Sequence, residues 1–226
     1  FKLGGGALLA NFLPILLLPL LLRYYDPVDF GLLSVYTAII TVIGQVGTLK
    51  YDQAILVAKD VEDAQALFTL SLILDLLLSG LGLLAYYVII HPKFSHIVVL
   101  FLGSVLQAGI AGAYSFGNYR MNIKAMNLYS MLPMPLYTII AIFLVFVGFD
   151  FYNLILARLL ALLFTFLTLV AMLDLRLVGS FQYLMDTAKK YIEYPKVILP
   201  AKSINLFSTN GLNLMLPLLL LALGLH

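Results

Sequence analysis

The sequence predicts an all-α membrane protein, a polytopic bundle of about seven transmembrane helices. Three observations predict it. Of 226 residues, 63% are hydrophobic and only 11% charged, at a mean hydropathy of +1.06. A soluble domain carries roughly a quarter charged residues, so no soluble fold hides this much apolar side chain and the solvent must be lipid. Seven runs approach the roughly twenty apolar residues that a helix needs to cross a bilayer. These runs are continuous rather than alternating, which excludes the strands of a barrel.

The first segment, Leu3–Leu22, is too long for a signal-peptide core and has no small-residue cleavage site, so it is expected to be retained. The chain opens on Phe1 rather than Met, so a few native residues are expected upstream. The second segment, Gly31–Leu49, carries Thr37, Thr41, Gln45 and Thr48 on one helical face. The third, Ala64–Ile90, carries Ser71, Asp75 and Ser79 at intervals of four, again on one face. The fourth, Ile97–Tyr119, aligns Gly103, Gln107, Tyr114 and Asn118. The fifth, Leu128–Val147, contains Pro133 and Pro135, and the sixth, Tyr152–Leu173, contains Arg158. The seventh, Ile198–Leu225, carries Lys202, Asn205, Thr209 and Asn213. It echoes the first: Leu216-Pro217 repeats Leu13-Pro14, with Asn213 and Asn11 upstream of each. Transporters are often built from such repeats. Asp174 to Tyr194 is the longest polar stretch, with Phe181, Leu184, Met185 and Ala188 on one face and Lys189 and Lys190 at its end. Residues 1–175 are therefore expected to form a six-helix bundle, 176–196 an amphipathic cytoplasmic linker, and 197–226 the first helix of a second bundle.

Charge orients these spans. Lys2, Lys50, Lys59, Arg120, Lys124, Arg176, Lys189, Lys190 and Lys196 fall at the N-terminus and in the even-numbered connections, while the odd ones hold only Arg23 and Lys93. Excess cations mark the cytoplasmic side, so the N-terminus and even connections are expected there. Tyr24, Tyr25, Tyr86, Tyr87, Tyr129 and Tyr152 fall at span ends, where an amphipathic ring sits well in a chain that has no Trp.

The polar stripes carry the functional reading. Ser, Thr and Gly also face neighbouring helices to let them pack closely. Gln and Asn on several spans point instead to a hydrated cavity, expected to be lined by Asn11, Thr41, Gln45, Asp75, Gln107, Tyr114, Arg158, Asn205 and Thr209. Asp75 lies about eleven residues, or ~16 Å, into its span. A central carboxylate costs roughly 2.5–3.5 kcal/mol to insert, so Asp75 is expected to couple to a cation or proton, or to hydrogen-bond a neighbour. Arg158, Arg23 and Lys202 are the expected contacts for an anionic headgroup; Arg158 can pair bidentately with phosphate, and Lys202 can also snorkel to its interface. His91 and His96, five apart, share no helical face and read as a loop pair. There is no cysteine, hence no disulfide and no thiolate metal site, and no cofactor motif is present. A net charge of +2 gives no case for nucleic acid.

Two stretches go further. Pro19-Leu20-Leu21-Leu22-Arg23-Tyr24-Tyr25-Asp26-Pro27-Val28-Asp29-Phe30-Gly31 resembles the first loop of the polysaccharide and O-antigen flippase family, which reads proline, apolar run, Arg, then a Pro-x-x-Phe-Gly turn. Thr48-Leu49-Lys50-Tyr51-Asp52-Gln53-Ala54-Ile55 resembles its next signature, and Tyr191 to Pro200 the start of its seventh span. Pro27 fixes a helix start and Gly31 is expected to give tight passage at the membrane surface. The resemblance covers nearly the whole chain. It implies a superfamily that also holds multidrug–cation antiporters and peptidoglycan-precursor flippases, with two bundles around a central cavity. This chain would be the N-terminal bundle plus the first span of the second. The implied activity is alternating-access transport of a polyprenyl-pyrophosphate-linked oligosaccharide across a bacterial inner membrane, with H+ or Na+ as coupling ion and no enzymatic step. The rival readings are a drug–cation antiporter, favoured by Asp75, and a membrane-embedded glycosyl transferase or polymerase, disfavoured by the short, carboxylate-poor outer loops.

Overall fold

The computed structural model describes residues 12, 16–91, 93–147, 153–205, 208–209 and 211. Among these residues all regular structure is helical. In chain order the helices are α1 (16–24), α2 (Pro27–Gly47), α3 (Tyr51–Ala54), α4 (Val61–Ile90), α5 (Phe94–Tyr119), α6 (Ile123–Met131), α7 (Pro133–Val147), α8 (Asn153–Leu173) and α9 (Phe181–Lys190). A wide helical turn at Tyr194–Ile198 then runs into helix at 199–205. Four of the described helices, α2, α4, α5 and α8, are long and apolar enough to cross a membrane, and α6 with α7, bent by 40° at their break, reach that length only when taken together. These are the second to sixth predicted segments; the first and seventh lie largely outside the described residues. The protein is an all-α, multi-pass membrane bundle.

Local chemistry explains the helix ends. Pro27, which has no N–H to lose, occupies the first turn of α2, and the Asp26 N–H donates to Asp29 Oδ2 at 3.0 Å. Asp60 caps α4 by accepting the Asp63 N–H at 2.7 Å. The bend between α6 and α7 falls at Leu132, where Pro133 and Pro135 withdraw two backbone donors from the helix. Gly31 lies inside α2 with no neighbour within 4 Å, so it gives no tight passage; it is exposed helix surface.

α5 is the central helix, packed against α2, α4 and α8, with α7 on the far side of α8. Two glycines bring α2 in closely. A Cβ on Gly44 would stand 2.8 Å from the Ser104 carbonyl oxygen of α5, and one on Gly47 would stand 3.1 Å from the Asp75 Cα of α4. The largest apolar cluster joins Tyr51 and Ile55, the first half of α4, the second half of α5, the end of α8, and Leu184 and Tyr191. The even-numbered connections therefore gather at one end of the bundle.

The linker is docked at that end. Asp63, 3% exposed, accepts from the Tyr183 hydroxyl at 2.9 Å and the Tyr191 hydroxyl at 3.0 Å, and pairs with Lys190. The Lys59 N–H donates to Tyr191 Oη at 3.1 Å, the Tyr51 hydroxyl to the Ala188 carbonyl at 3.0 Å, and the Val178 N–H to Thr69 Oγ1 at 3.0 Å. The buried stripe of α9 runs through Leu184, Thr187 and Tyr191, while Phe181 and Met185 are exposed. The amphipathic face is thus rotated from the predicted one, because the tyrosines and Lys190 must reach Asp63. Hydrogen bonding to Asp63 raises the Lys190 ammonium above its ordinary value, and burial with that same bond pushes the Tyr183 phenol up to about 12.

Two outcomes follow from these contacts. Gly44→Ala drives a methyl group into backbone and should cost about 1–3 kcal/mol, read as a lower unfolding midpoint in detergent. Asp63→Asn removes the ionic partner of Lys190, so tryptic cleavage at Lys189 and Lys190 should accelerate. In the parent protein the raised Lys190 value means that the lysine's contribution to docking is present below the ordinary lysine range and is lost as pH climbs through the raised value, while the lowered Asp63 value keeps its carboxylate charged until acid pH. Cleavage should therefore stay slow up to strongly alkaline pH.

Candidate functional site

The stripe on α2 and the start of the seventh segment face each other across a cavity of about 300 Å³, lined by Thr41, Gln45, Lys50, Gln53, Lys202, Asn205 and Thr209. Every lining side chain carries a hydroxyl, an amide or an ammonium. Helical spacing places Thr41 above Gln45. The chain then leaves α2 through Leu49 and Lys50, two successive residues in left-handed conformation, at φ 48° and 63°. That conformation is costly for residues other than glycine. It directs Lys50 back toward its own helix, where Nζ lies 3.5 Å from Gln45 Oε1. Tyr51, Ala54 and Ile55, the apolar part of this motif, are buried in the main cluster and anchor the turn.

The electrostatics of the cavity is cationic. Lys50 is 3% exposed and forms no ion pair among the described residues. Burial lowers its pKa, the Asp52 charge opposes that, and Lys202 lowers it further. Asp52 does not line the cavity: it is buried beneath the turn, where it accepts from the Thr48 hydroxyl at 2.8 Å, and burial raises its pKa. Two ammonium groups and five neutral polar groups thus face one space with no carboxylate among its described lining residues. Such a wall has the chemistry to hydrogen-bond a polyol and to pair its lysines with a multiply charged oxyanion.

Other predicted residues sit elsewhere. Asp75 is fully enclosed behind Gly47, and neither carboxyl oxygen has a hydrogen-bond partner. Its stripe companions Ser71 and Ser79 are buried as well, each donating to a carbonyl of its own helix, Phe68 and Asp75 respectively. The α4 stripe therefore meets packed neighbours, and Asp75 is not among the residues lining the cavity. Gln107, half-buried on α5, stands at the α2 contact, where its Cβ would be 3.3 Å from one on Gly44. Tyr114 stacks on Tyr129 with ring centroids 4.2 Å apart. Arg158 on α8 is half-buried, within electrostatic range of Tyr129 and Tyr137, and has no ion pair among the described residues. Tyr129 in turn lies within such range of Tyr114 and Asp52, so polar groups continue from the foot of the cavity toward Arg158. Arg23 is exposed at the opposite end of the bundle from Lys50 and Lys202, so the three predicted headgroup contacts are not brought together. Asn11 lies outside the described residues. His91 ends α4 in left-handed conformation, and His96 Nδ1 meets the Tyr36 hydroxyl.

Sequence reasoning missed Lys50 and Gln53. No helical-face signal could have found Lys50, which falls off the Thr41, Gln45, Thr48 stripe and is brought back to it only by the left-handed turn at Leu49 and Lys50.

The fold and the cavity together define a polytopic helical membrane protein with an open, cationic, amide-lined cavity. A family model described as polysaccharide biosynthesis protein matches residues 20–222, and the chain belongs to that family. No curated protein and no solved structure matches the chain.

Lys50 and Lys202 should set anion affinity in this cavity. Replacing Lys50 by Gln is expected to weaken binding of inorganic pyrophosphate about tenfold, measured by titration calorimetry in detergent. Because the Lys50 value is depressed, its charge is lost at lower pH than that of an exposed lysine near 10.5. Pyrophosphate binding should accordingly fade as pH rises through that depressed value, and Lys50→Arg should shift the loss to higher pH.

Proposed function

We propose that this protein moves a lipid-linked oligosaccharide, carried on a polyprenyl pyrophosphate, across the bacterial inner membrane by alternating access, for surface polysaccharide synthesis such as O-antigen or lipopolysaccharide. The observation that supports this most is the cavity wall: Lys50 and Lys202 beside Thr41, Gln45, Gln53, Asn205 and Thr209, with no acidic residue among the described lining. The lysines suit the pyrophosphate, the amides and hydroxyls suit the sugars, and the prenyl chain remains in lipid. Arg158, with Tyr129 and Tyr137 in range, is a second anion contact further along the path. On this reading the protein is a transporter, not an enzyme. Its N-terminus and the cation-rich even connections are cytoplasmic, and residues 1–175 and 197–226 belong to two bundles that rock about the cavity.

Asp75 is the coupling residue in this scheme. Its unpartnered carboxyl abuts Gly47, two residues from Gln45, so a proton or sodium ion there changes the α2–α4 contact and not the substrate contacts. The test is flipping of a fluorescent, short-chain lipid-pyrophosphate oligosaccharide by the full-length protein in vesicles. Lys50→Gln with Lys202→Gln should abolish transport, while Asp75→Asn should keep slow equilibration and lose the response to an imposed proton or sodium gradient. Undiminished flipping by the double lysine variant would reject the cavity as the path.

A further inference from the structure

A second cavity, separate from the polar one, opens on the outer face of the bundle. It has a volume of about 690 Å³ and lies between α4, α5 and α8, with residues 175–178 as its roof. Phe68 and Phe166 contribute to its walls, together with Leu72, Leu106 and Val170. Its one polar side chain, Thr69, is fully occupied: the hydroxyl donates to the Gln65 carbonyl at 2.9 Å and accepts the Val178 N–H at 3.0 Å. Water needs about two to four polar partners to settle in such a space, and none is on offer. Unfilled, the lining would forfeit dispersion contacts over a volume of more than twenty waters at about 30 Å³ each. Ile73, Leu76, Leu167 and Leu177 leave the groove's edge exposed toward the surrounding hydrocarbon.

The rim says what enters. Asp174 takes a left-handed turn at the end of α8, at φ 47°, and its Oδ2 lies 3.1 Å from Arg176 NH2. Both side chains are about three-quarters exposed, and the residues between and after them, Leu175, Leu177 and Val178, line the groove. A carboxylate and a guanidinium, fixed side by side where an apolar slot meets the membrane surface, are the charge complement of an ammonium and a phosphate carried on one molecule. We propose that the groove holds an acyl chain of a bilayer phospholipid whose zwitterionic, amine-bearing headgroup spans Asp174 and Arg176. The bound lipid cements the linker roof to α4 and α8, and it is distinct from the cargo, which uses the lysine-lined cavity on α2.

Native mass spectrometry of the full-length protein, stripped in detergent and titrated with phosphatidylethanolamine or phosphatidylglycerol, tests this. One phosphatidylethanolamine should be retained per chain, in preference to phosphatidylglycerol. Arg176→Gln and Asp174→Asn, both at exposed positions with no burden on folding, should each weaken retention roughly three- to fivefold. Val170→Phe, which fills the groove, should remove the lipid from protein that still elutes as a single species. Equal retention of the two lipids, or retention unchanged in both rim variants, overturns the proposal. The outcome is independent of the flipping assay, because no cavity residue is altered.

Discussion

The approach of α2 to its neighbours at Gly44 and Gly47 organises the polar groups of this bundle. With hydrogen as the side chain at both positions, the helix backbone lies against the Ser104 carbonyl on one side and against Asp75 on the other. In lipid no hydrophobic force draws helices together, and small residues at the contact supply the packing that does. Two consequences follow from the same contact. The α4 stripe is sealed into the protein. The α2 stripe, a third of a turn away, is left facing outward from the packed core toward the seventh segment, where it can be wet. One close approach thus separates an enclosed carboxyl on α4 from the outward-facing amides of α2.

The docked linker extends this logic to the end of the bundle. Asp63 is buried, so its charge must be matched, and it is matched by three donors from one short segment: Tyr183, Lys190 and Tyr191. Breaking such a cluster one member at a time strands the others, which makes it cohesive beyond its pairwise contacts. The segment up to Tyr191 is therefore held to the end of α4. Immediately after it come the wide turn Tyr194–Ile198, Pro195 and Pro200, where helical hydrogen bonding is weakest. In a rocking transporter, relative motion of the seventh segment would concentrate there, and it would carry Lys202, Asn205 and Thr209 toward or away from Thr41, Gln45 and Lys50.

Hydropathy made the spans legible because crossing lipid is a demand each segment meets alone, and α2, α4, α5 and α8 start within about four residues of the predicted starts. Burial of a polar stripe is different: Ser71–Asp75–Ser79 and Thr41–Gln45 look alike in sequence, and only the glycines across from them decide which one is sealed. No local rule signals that Leu49 and Lys50 take left-handed conformations, since nothing but the burial of Tyr51 and Ile55 enforces it. For that reason Lys50 read as a loop cation and part of an architectural motif. The face of α9 was misread for a related reason. Its apolar pattern alone favours Phe181 and Met185, but the need to satisfy Asp63 from a distant helix turns the segment away from them.

The sign of the cavity separates the proposed cargo from its nearest rival. A drug–cation exporter needs fixed negative charge where its substrate sits, and Asp75 is the residue that would supply it. Asp75 faces Gly47 from within the bundle, while Lys50 and Lys202 face the open space. Bringing a cationic drug between two ammonium groups adds repulsion to a Lys50 whose charge burial already disfavours, whereas a pyrophosphate offsets both effects. Retaining Lys50 in a buried, left-handed turn costs conformational and desolvation energy together. Burial of Tyr51, Ala54 and Ile55 offsets the conformational part, and a guest with negative charge would offset the desolvation part, which is the charge that the proposed cargo carries.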